Sequence, residues 1–122
     1  MKVLAVAMAG WLAASGAVAA PVCKNGRVPV ALCFALHGRL QAWNGTPTFR
    51  IARLGTSRVL GIEGEPYDPW LPDSVRRALG PDATGKRINA DFEVCPLTKE
   101  KPGHMQMVCV IGASHVTERD NH

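Results

Sequence analysis

The charge of this 122-residue chain is distributed unevenly, because no Asp or Glu precedes Glu63. Beyond Lys2, the basic residues before Glu63 are Lys24, Arg27, Arg39, Arg50, Arg53 and Arg58. A guanidinium group binds phosphate or carboxylate at two points and also stacks on aromatic rings. We therefore expect the arginines around the aromatic Trp43 to form one anion-binding surface. Its candidate residues are Arg39, Trp43, Arg50, Arg53 and Arg58. The opposing interpretation is a solvated face that is neutralised by Asp91, Glu93 and other acids of the second half.

A second group of residues combines soft sulfur with imidazole. Met105, Met107 and Cys109 alternate along a strand-like run and share one of its faces, next to His104. Thioether and imidazole ligands select Cu(I) or Ag(I). In residue types the group is similar to the metal-binding set of periplasmic copper and silver chaperones that are small OB barrels. The favoured interpretation is that both methionines fill the core and that Cys109 forms a disulfide, so the metal site is kept as the alternative.

Catalysis has the least support. His37, Ser57, Asp73 and Asp91 supply the residue types of a triad, but Ser57 lies outside a Gly-x-Ser-x-Gly elbow. We therefore expect a binding or interaction module without a catalytic residue or a cofactor. A small hydrolase is a third hypothesis, which requires a deep cleft that joins His37 to a carboxylate.

The N-terminal segment has the order of a secretory signal peptide. Lys2 precedes an apolar run over residues 3–12, and small residues follow up to position 20. Ala17 and Ala19 provide the small side chains that a signal peptidase needs, which predicts a signal peptide over residues 1–19. The apolar run is shorter than the roughly 20 residues that span a bilayer. We therefore expect a periplasmic or secreted chain that does not span a membrane once the signal is cleaved.

Export limits which partners we expect to bind the predicted anion-binding surface. Anionic glycans, lipid headgroups and acidic proteins all carry the required negative charge. Nucleic acid is not expected, because an exported protein rarely meets it.

All four cysteines follow the predicted signal peptide, and an even count in a small exported chain indicates two disulfides. They are Cys23, Cys33, Cys95 and Cys109. Three pairings satisfy this count. Cys95 and Cys109 flank a loop between two strand-like runs, which favours a Cys95–Cys109 bond and leaves Cys23 to pair with Cys33.

The elements that must position these residues follow from the apolar periodicity. Strand-like runs cover residues 32–43, 48–54, 58–62, 88–94 and 104–111, and a helix capped by Asp73 is predicted over residues 74–79. Gly38 predicts a bulge in the first strand. The order β, β, β, helix, β, β is that of the OB-fold. We therefore predict a mainly β, disulfide-stapled, five-stranded OB-like barrel with one short helix between strands 3 and 4. It forms a single domain over residues 20–122, of which 116–122 are a frayed tail.

Several segments spread over most of the mature chain carry a family resemblance. They are His37-Gly38-Arg39-Leu40, Asn44-Gly45, Arg50-Ile51, Leu60-Gly61, Asp91-Phe92-Glu93-Val94-Cys95-Pro96-Leu97 and Gly103-His104-Met105-Gln106-Met107-Val108-Cys109. Together they resemble a family of small exported bacterial proteins of uncharacterised function. The resemblance implies export and shared cysteines, and it implies no activity.

Overall fold

The computed structural model describes residues 23, 26–65, 68–83 and 85–120, so the predicted signal peptide lies outside the described residues. Seven strands and one helix are present in the described part of the chain. They are β1 (Phe34–Ala42), β2 (Phe49–Arg53), β3 (Val59–Ile62), β4 (Gly64–Glu65), β5 (Asp68–Pro69), α1 (Asp73–Leu79), β6 (Lys86–Pro96) and β7 (Gln106–Asp120).

The five longer strands close into a ring in the order β1-β2-β3-β7-β6. β3 and β7 are parallel and the other neighbours in the ring are antiparallel. In chain order, the short β4–β5 hairpin and the helix α1 lie between β3 and β6, which are the third and fourth strands of the ring along the sequence. The predicted mainly β, OB-like architecture is therefore confirmed.

Apolar residues at every second position of the strands point inward and fill the interior of the ring. In β6, Ile88, Ala90, Phe92 and Val94 are each at most 1% exposed, and they pack with the inward residues of the other ring strands. Val75 and Leu79 of α1 belong to the same apolar cluster. One face of the helix thus adds to the core that the five strands build.

Gly38 allows the strands to approach closely at the point where β1, already paired with β6, also begins to pair with β2. β1 pairs with β6 from its first residue, and its pairing with β2 begins at Gly38. A Cβ at this position would lie 2.5 Å from Cγ2 of Ile51 and 2.7 Å from Cδ1 of Leu36. The predicted bulge at Gly38 is wrong, because β1 keeps its register there. The register shifts occur instead between β6 and β7.

The start of α1 differs from its prediction. The N-cap residue is Pro72 and no side chain caps the helix, so the prediction of Asp73 as the cap is wrong. Proline has a fixed φ near the helical value, which suits a position at the start of a helix. The carbonyl of Pro72 accepts the N–H groups of Val75 and Arg76.

The last strand is longer than its apolar pattern indicates. β7 extends to Asp120, which pairs with Lys86 at the start of β6. The prediction of a frayed tail from residue 116 is therefore wrong for residues 116–120. Val116 is apolar and packs against the core, whereas residues 117–120 are polar and owe their strand structure to backbone pairing with β6.

The favoured disulfide pairing is also wrong, because the bonds are Cys23–Cys109 and Cys33–Cys95. Cys95 and Cys109 do face each other across β6 and β7, but each bonds to a cysteine of the N-terminal segment 23–33. That segment makes few backbone hydrogen bonds with the ring strands, one of them between Val30 N–H and the Pro96 carbonyl, so the disulfides hold it in place. Two disulfides fit an oxidising, extracellular compartment. In the described residues, no helix has the length and apolar character that a membrane span requires.

Candidate functional site

Arg50 of β2 stacks on Trp43, the residue that follows β1. The guanidinium carbon lies 5.7 Å from the centroid of the indole ring. Arg50 Nε donates to the Pro47 carbonyl at 2.9 Å, and the Trp43 N–H donates to the Thr48 carbonyl at 2.7 Å. The connection over residues 43–48 therefore holds the Arg50 guanidinium and the Trp43 backbone, while Trp43 stays 48% exposed. We call this exposed aromatic and guanidinium pair the Trp43–Arg50 platform.

Arg39 of β1 lies on the same outer face of the sheet as Arg50. It is two residues from Gln41, which pairs directly with Arg50. The Arg39 Nε donates to Oδ1 of Asn89 on β6 at 3.2 Å. Among the described residues, neither Arg39 nor Arg50 forms an ion pair. Their positive charges are therefore not neutralised by a carboxylate of the described residues.

The other two predicted arginines lie at the opposite end of the strands. Arg53 is the exposed last residue of β2. Arg58 contacts Glu100 at 2.9 Å, donates to the side-chain oxygen of Gln106, and stacks on the Phe34 ring. The structure therefore brings Arg39, Trp43 and Arg50 together and separates them from Arg53 and Arg58. The charge of Arg58 is balanced locally.

Asp91 contacts two histidines rather than the arginines with which the opposing interpretation pairs it. The Nδ1 atoms of His37 and His115 lie 2.7 and 2.9 Å from its two carboxylate oxygens. Hydrogen bonding to His37, and then to His115, holds the pKa of Asp91 below its ordinary value. His115 lies in β7, directly before the residues that the sequence predicts to be a frayed tail. His37 and Asp91 are 62% and 46% exposed, so this pair lies on open surface rather than in the deep cleft that a hydrolase would need.

A cleft of about 800 Å³ opens beside the platform. It separates the β1–β2 connection from the C-terminal end of α1 and the segment that follows the helix. Its lining includes Trp43, Gly45, Phe49, Arg76, Leu79 and Asp82. Arg76 donates to the carbonyls of Pro69 and Leu71, so its guanidinium is held by the chain's own backbone. The platform therefore stands at the rim of a partly apolar depression.

The two methionines meet on the outside of the ring rather than in the core. Met107 pairs with Gly61 of β3, and the Sδ atoms of Met105 and Met107 both lie within 3.0 Å of where a Gly61 Cβ would be. Cys109 is held in a disulfide and His104 is exposed on the β6–β7 connection. The predicted convergence of the two thioethers is therefore present, but Cys109 has no thiolate to offer a metal. Among the described residues, no group of three His, Cys, Asp or Glu side chains is arranged to hold a metal ion.

Sequence reasoning missed two basic residues that join the outer face near the platform. Arg87 of β6 pairs directly with Gln41 of β1, and Arg119 of β7 pairs directly with Arg87. No local signal identifies them, because the register of β6 and β7 depends on two irregularities in their pairing.

The arrangement combines a flat apolar ring with a guanidinium group that is already oriented. An indole ring offers a large apolar contact area, and the guanidinium fork matches a carboxylate or a phosphate. A ligand with both an apolar face and a negative charge therefore suits the platform. The chain matches no protein-family model, no curated protein and no solved structure.

Proposed function

We propose that the protein is an exported binding module that recognises an anionic saccharide through the Trp43–Arg50 platform. The observation that supports the proposal is the stacking of Arg50 on the half-exposed Trp43. The C–H face of a sugar ring is apolar and can pack on the indole, while its carboxylate or phosphate binds the adjacent guanidinium.

The local contacts of Arg50 favour binding for an energetic reason. Its side chain is held by the Pro47 carbonyl and the Trp43 ring, so less rotamer freedom is lost when a ligand binds. The location is also typical, because OB-folds bind oligosaccharides on the face of their second and third strands and on the loop between the first two. Both elements of the platform belong to that region.

A charged saccharide can contact both groups of the platform, the indole ring and the guanidinium, whereas the other expected partners match only the guanidinium. A lipid headgroup or an acidic protein segment would satisfy Arg50 but would leave the indole ring of Trp43 without a matched surface. We therefore propose an anionic glycan of the cell envelope as the ligand class.

Calorimetry with octagalacturonate, a carboxylated saccharide, tests this proposal directly. We expect salt-sensitive binding, and no binding of a neutral maltooligosaccharide of equal length. Arg50→Lys keeps the charge but removes the planar fork, so affinity should fall at least about fivefold. Trp43→Ala should reduce affinity about tenfold, because it removes the aromatic contact.

Arg53→Ala is the matched control, since it removes the same charge from the other end of the same strand. We expect it to change affinity by less than about twofold. Equal losses for Arg50→Ala and Arg53→Ala would show that net charge, rather than the platform, drives binding. Binding to vesicles of anionic phospholipid without binding to octagalacturonate would reassign the ligand to lipid.

A second candidate function is supported by the methionine pair. Met105 and Met107 bring two thioether sulfurs together over Gly61 on the outer face of the ring. Two soft ligands on a strand can hold Cu(I) or Ag(I) if exposed His104 or a small molecule completes the coordination. We propose this metal-carrier role only as the alternative, because packing against Gly61 and Pro47 already accounts for both side chains.

A further inference from the structure

A row of side chains crosses four neighbouring strands on the outer face of the ring. Arg119 of β7 lies opposite Arg87 of β6, Arg87 lies opposite Gln41 of β1, and Gln41 lies opposite Arg50 of β2. Directly opposite residues of paired strands project from the same face of the sheet. The register therefore connects two arginines of the second half of the chain with the platform.

A second row lies alongside the first one. Thr117 of β7 is opposite Asn89 of β6, which is opposite Arg39 of β1. The Thr117 hydroxyl donates to the Asn89 carbonyl, and Asn89 accepts from Arg39, so these groups support one another. We call the two rows the basic band. It consists of Arg39, Gln41, Arg50, Arg87, Asn89, Thr117 and Arg119.

The basic band contains no carboxylate among its described side chains. Glu118 is next to Arg119 in sequence, but it projects from the other face and bridges Lys86 at 3.5 Å. Asp91 lies beyond the second row and contacts His37 and His115. Arg87 has a contact of its own within the chain, so the two ends of the first row, Arg50 and the exposed Arg119, carry the argument.

The length of the row sets the size of the ligand. Neighbouring strands lie about 4.8 Å apart, so three interstrand steps from Arg50 to Arg119 cover roughly 14 Å along the sheet. A single charged sugar on the platform cannot reach Arg119. We infer that the basic band binds a linear saccharide with repeated anionic groups, which lies across the strands from the platform to Arg119. This inference rests on the proposed function and extends it from one charged sugar to a polyanionic chain.

Chain-length dependence tests the inference, with digalacturonate and octagalacturonate as probes for the oxidised protein. The octamer should bind more tightly than the dimer and with a steeper salt dependence, because it displaces more counterions from itself. Arg119→Ala should weaken octamer binding about two- to fivefold and leave dimer binding unchanged. Arg77→Ala removes an exposed charge of α1 outside the band and should change neither affinity.

The outcomes separate this inference from the proposed function. If Arg50→Ala weakens both probes while Arg119→Ala weakens neither, the platform stands and the basic band is wrong. If neither probe binds the wild-type protein, both proposals are wrong. Tighter binding of a single-stranded DNA octamer than of octagalacturonate would also overturn the inference, because it would make nucleic acid the preferred polyanion.

Discussion

Substitution of Gly38 by alanine tests the idea that this glycine sets the closeness of β1 and β2. The added Cβ would lie 2.5 Å from Cγ2 of Ile51, 2.7 Å from Cδ1 of Leu36 and 3.2 Å from the Ala52 carbonyl oxygen. Ile51 and Leu36 both belong to the apolar core of the ring, and Ile51 is fully buried. The neighbours have little room to move, because a close-packed interior has few voids.

The expected cost of Gly38→Ala follows from overpacking. An extra methyl group in a packed core destabilises by about 1–3 kcal/mol. In a domain of roughly 100 residues, each 1 kcal/mol lowers the melting temperature by about 4–8 °C. A loss of about 2 kcal/mol would therefore lower the midpoint by about 8–16 °C. Ile51→Leu removes the clashing methyl, so the double variant should recover part of the loss.

Thermal and urea unfolding of the oxidised protein measure this cost. Gly112→Ala is the matched control, because its Cβ would lie 3.9 Å from the nearest atom, Cβ of Glu93. We expect Gly112→Ala to change stability by less than about 0.5 kcal/mol. If Gly38→Ala were as stable as Gly112→Ala, the close approach of β1 and β2 at this point would be refuted.

Three further predictions concern the cysteines, Asp91 and the methionines. Non-reducing peptide mapping should recover Cys33 linked to Cys95, and replacing both by Ser should cost about 2–4 kcal/mol of stability; a peptide that links Cys95 to Cys109 would contradict the structure. The lowered pKa of Asp91 means that its carboxylate stabilises the fold above its ordinary value of 3.8 and that this contribution is lost as the pH falls further. Asp91→Asn should therefore lower the melting temperature more at pH 5 than at pH 3, and equal losses would argue against the histidine contacts. Titration with Ag(I) should reveal a submicromolar site that Met107→Leu abolishes if the alternative function holds, whereas micromolar or weaker binding to the wild-type protein excludes it.

The elements with strong apolar alternation could be predicted from the sequence, and those fixed by long-range pairing could not. Residues 88–94 alternate in polarity, and they form the centre of β6. β7 beyond residue 111 has no such regular alternation, because only Ala113 and Val116 of this part pack against the core, three residues apart, while its backbone pairs with β6. The disulfide pairing failed for the same reason: the N-terminal segment lies against the β6–β7 pair, and no local pattern indicates that contact.

The candidate site was predicted in part. Trp43 and Arg50 flank a turn, so their proximity follows from a hairpin between the first two strands. The separation of Arg58 from the Trp43–Arg50 platform could not be predicted, because its ion-pair partner Glu100 comes from a loop that is distant in sequence. Arg119 could not be assigned to the outer face without the register of β7 on β6.

The two disulfides add covalent connections to those of the peptide backbone. Cys23 is joined to Cys109 and Cys33 to Cys95, so a single peptide cleavage anywhere between residues 23 and 109 leaves one covalent molecule. Residues 98–104 of the β6–β7 connection are exposed and form an accessible target for proteases. A cut there would leave β7 attached through Cys109, and the molecule would separate into two fragments only after reduction. In a chain without disulfides, the same cut would end the covalent connection between β7 and the rest of the molecule.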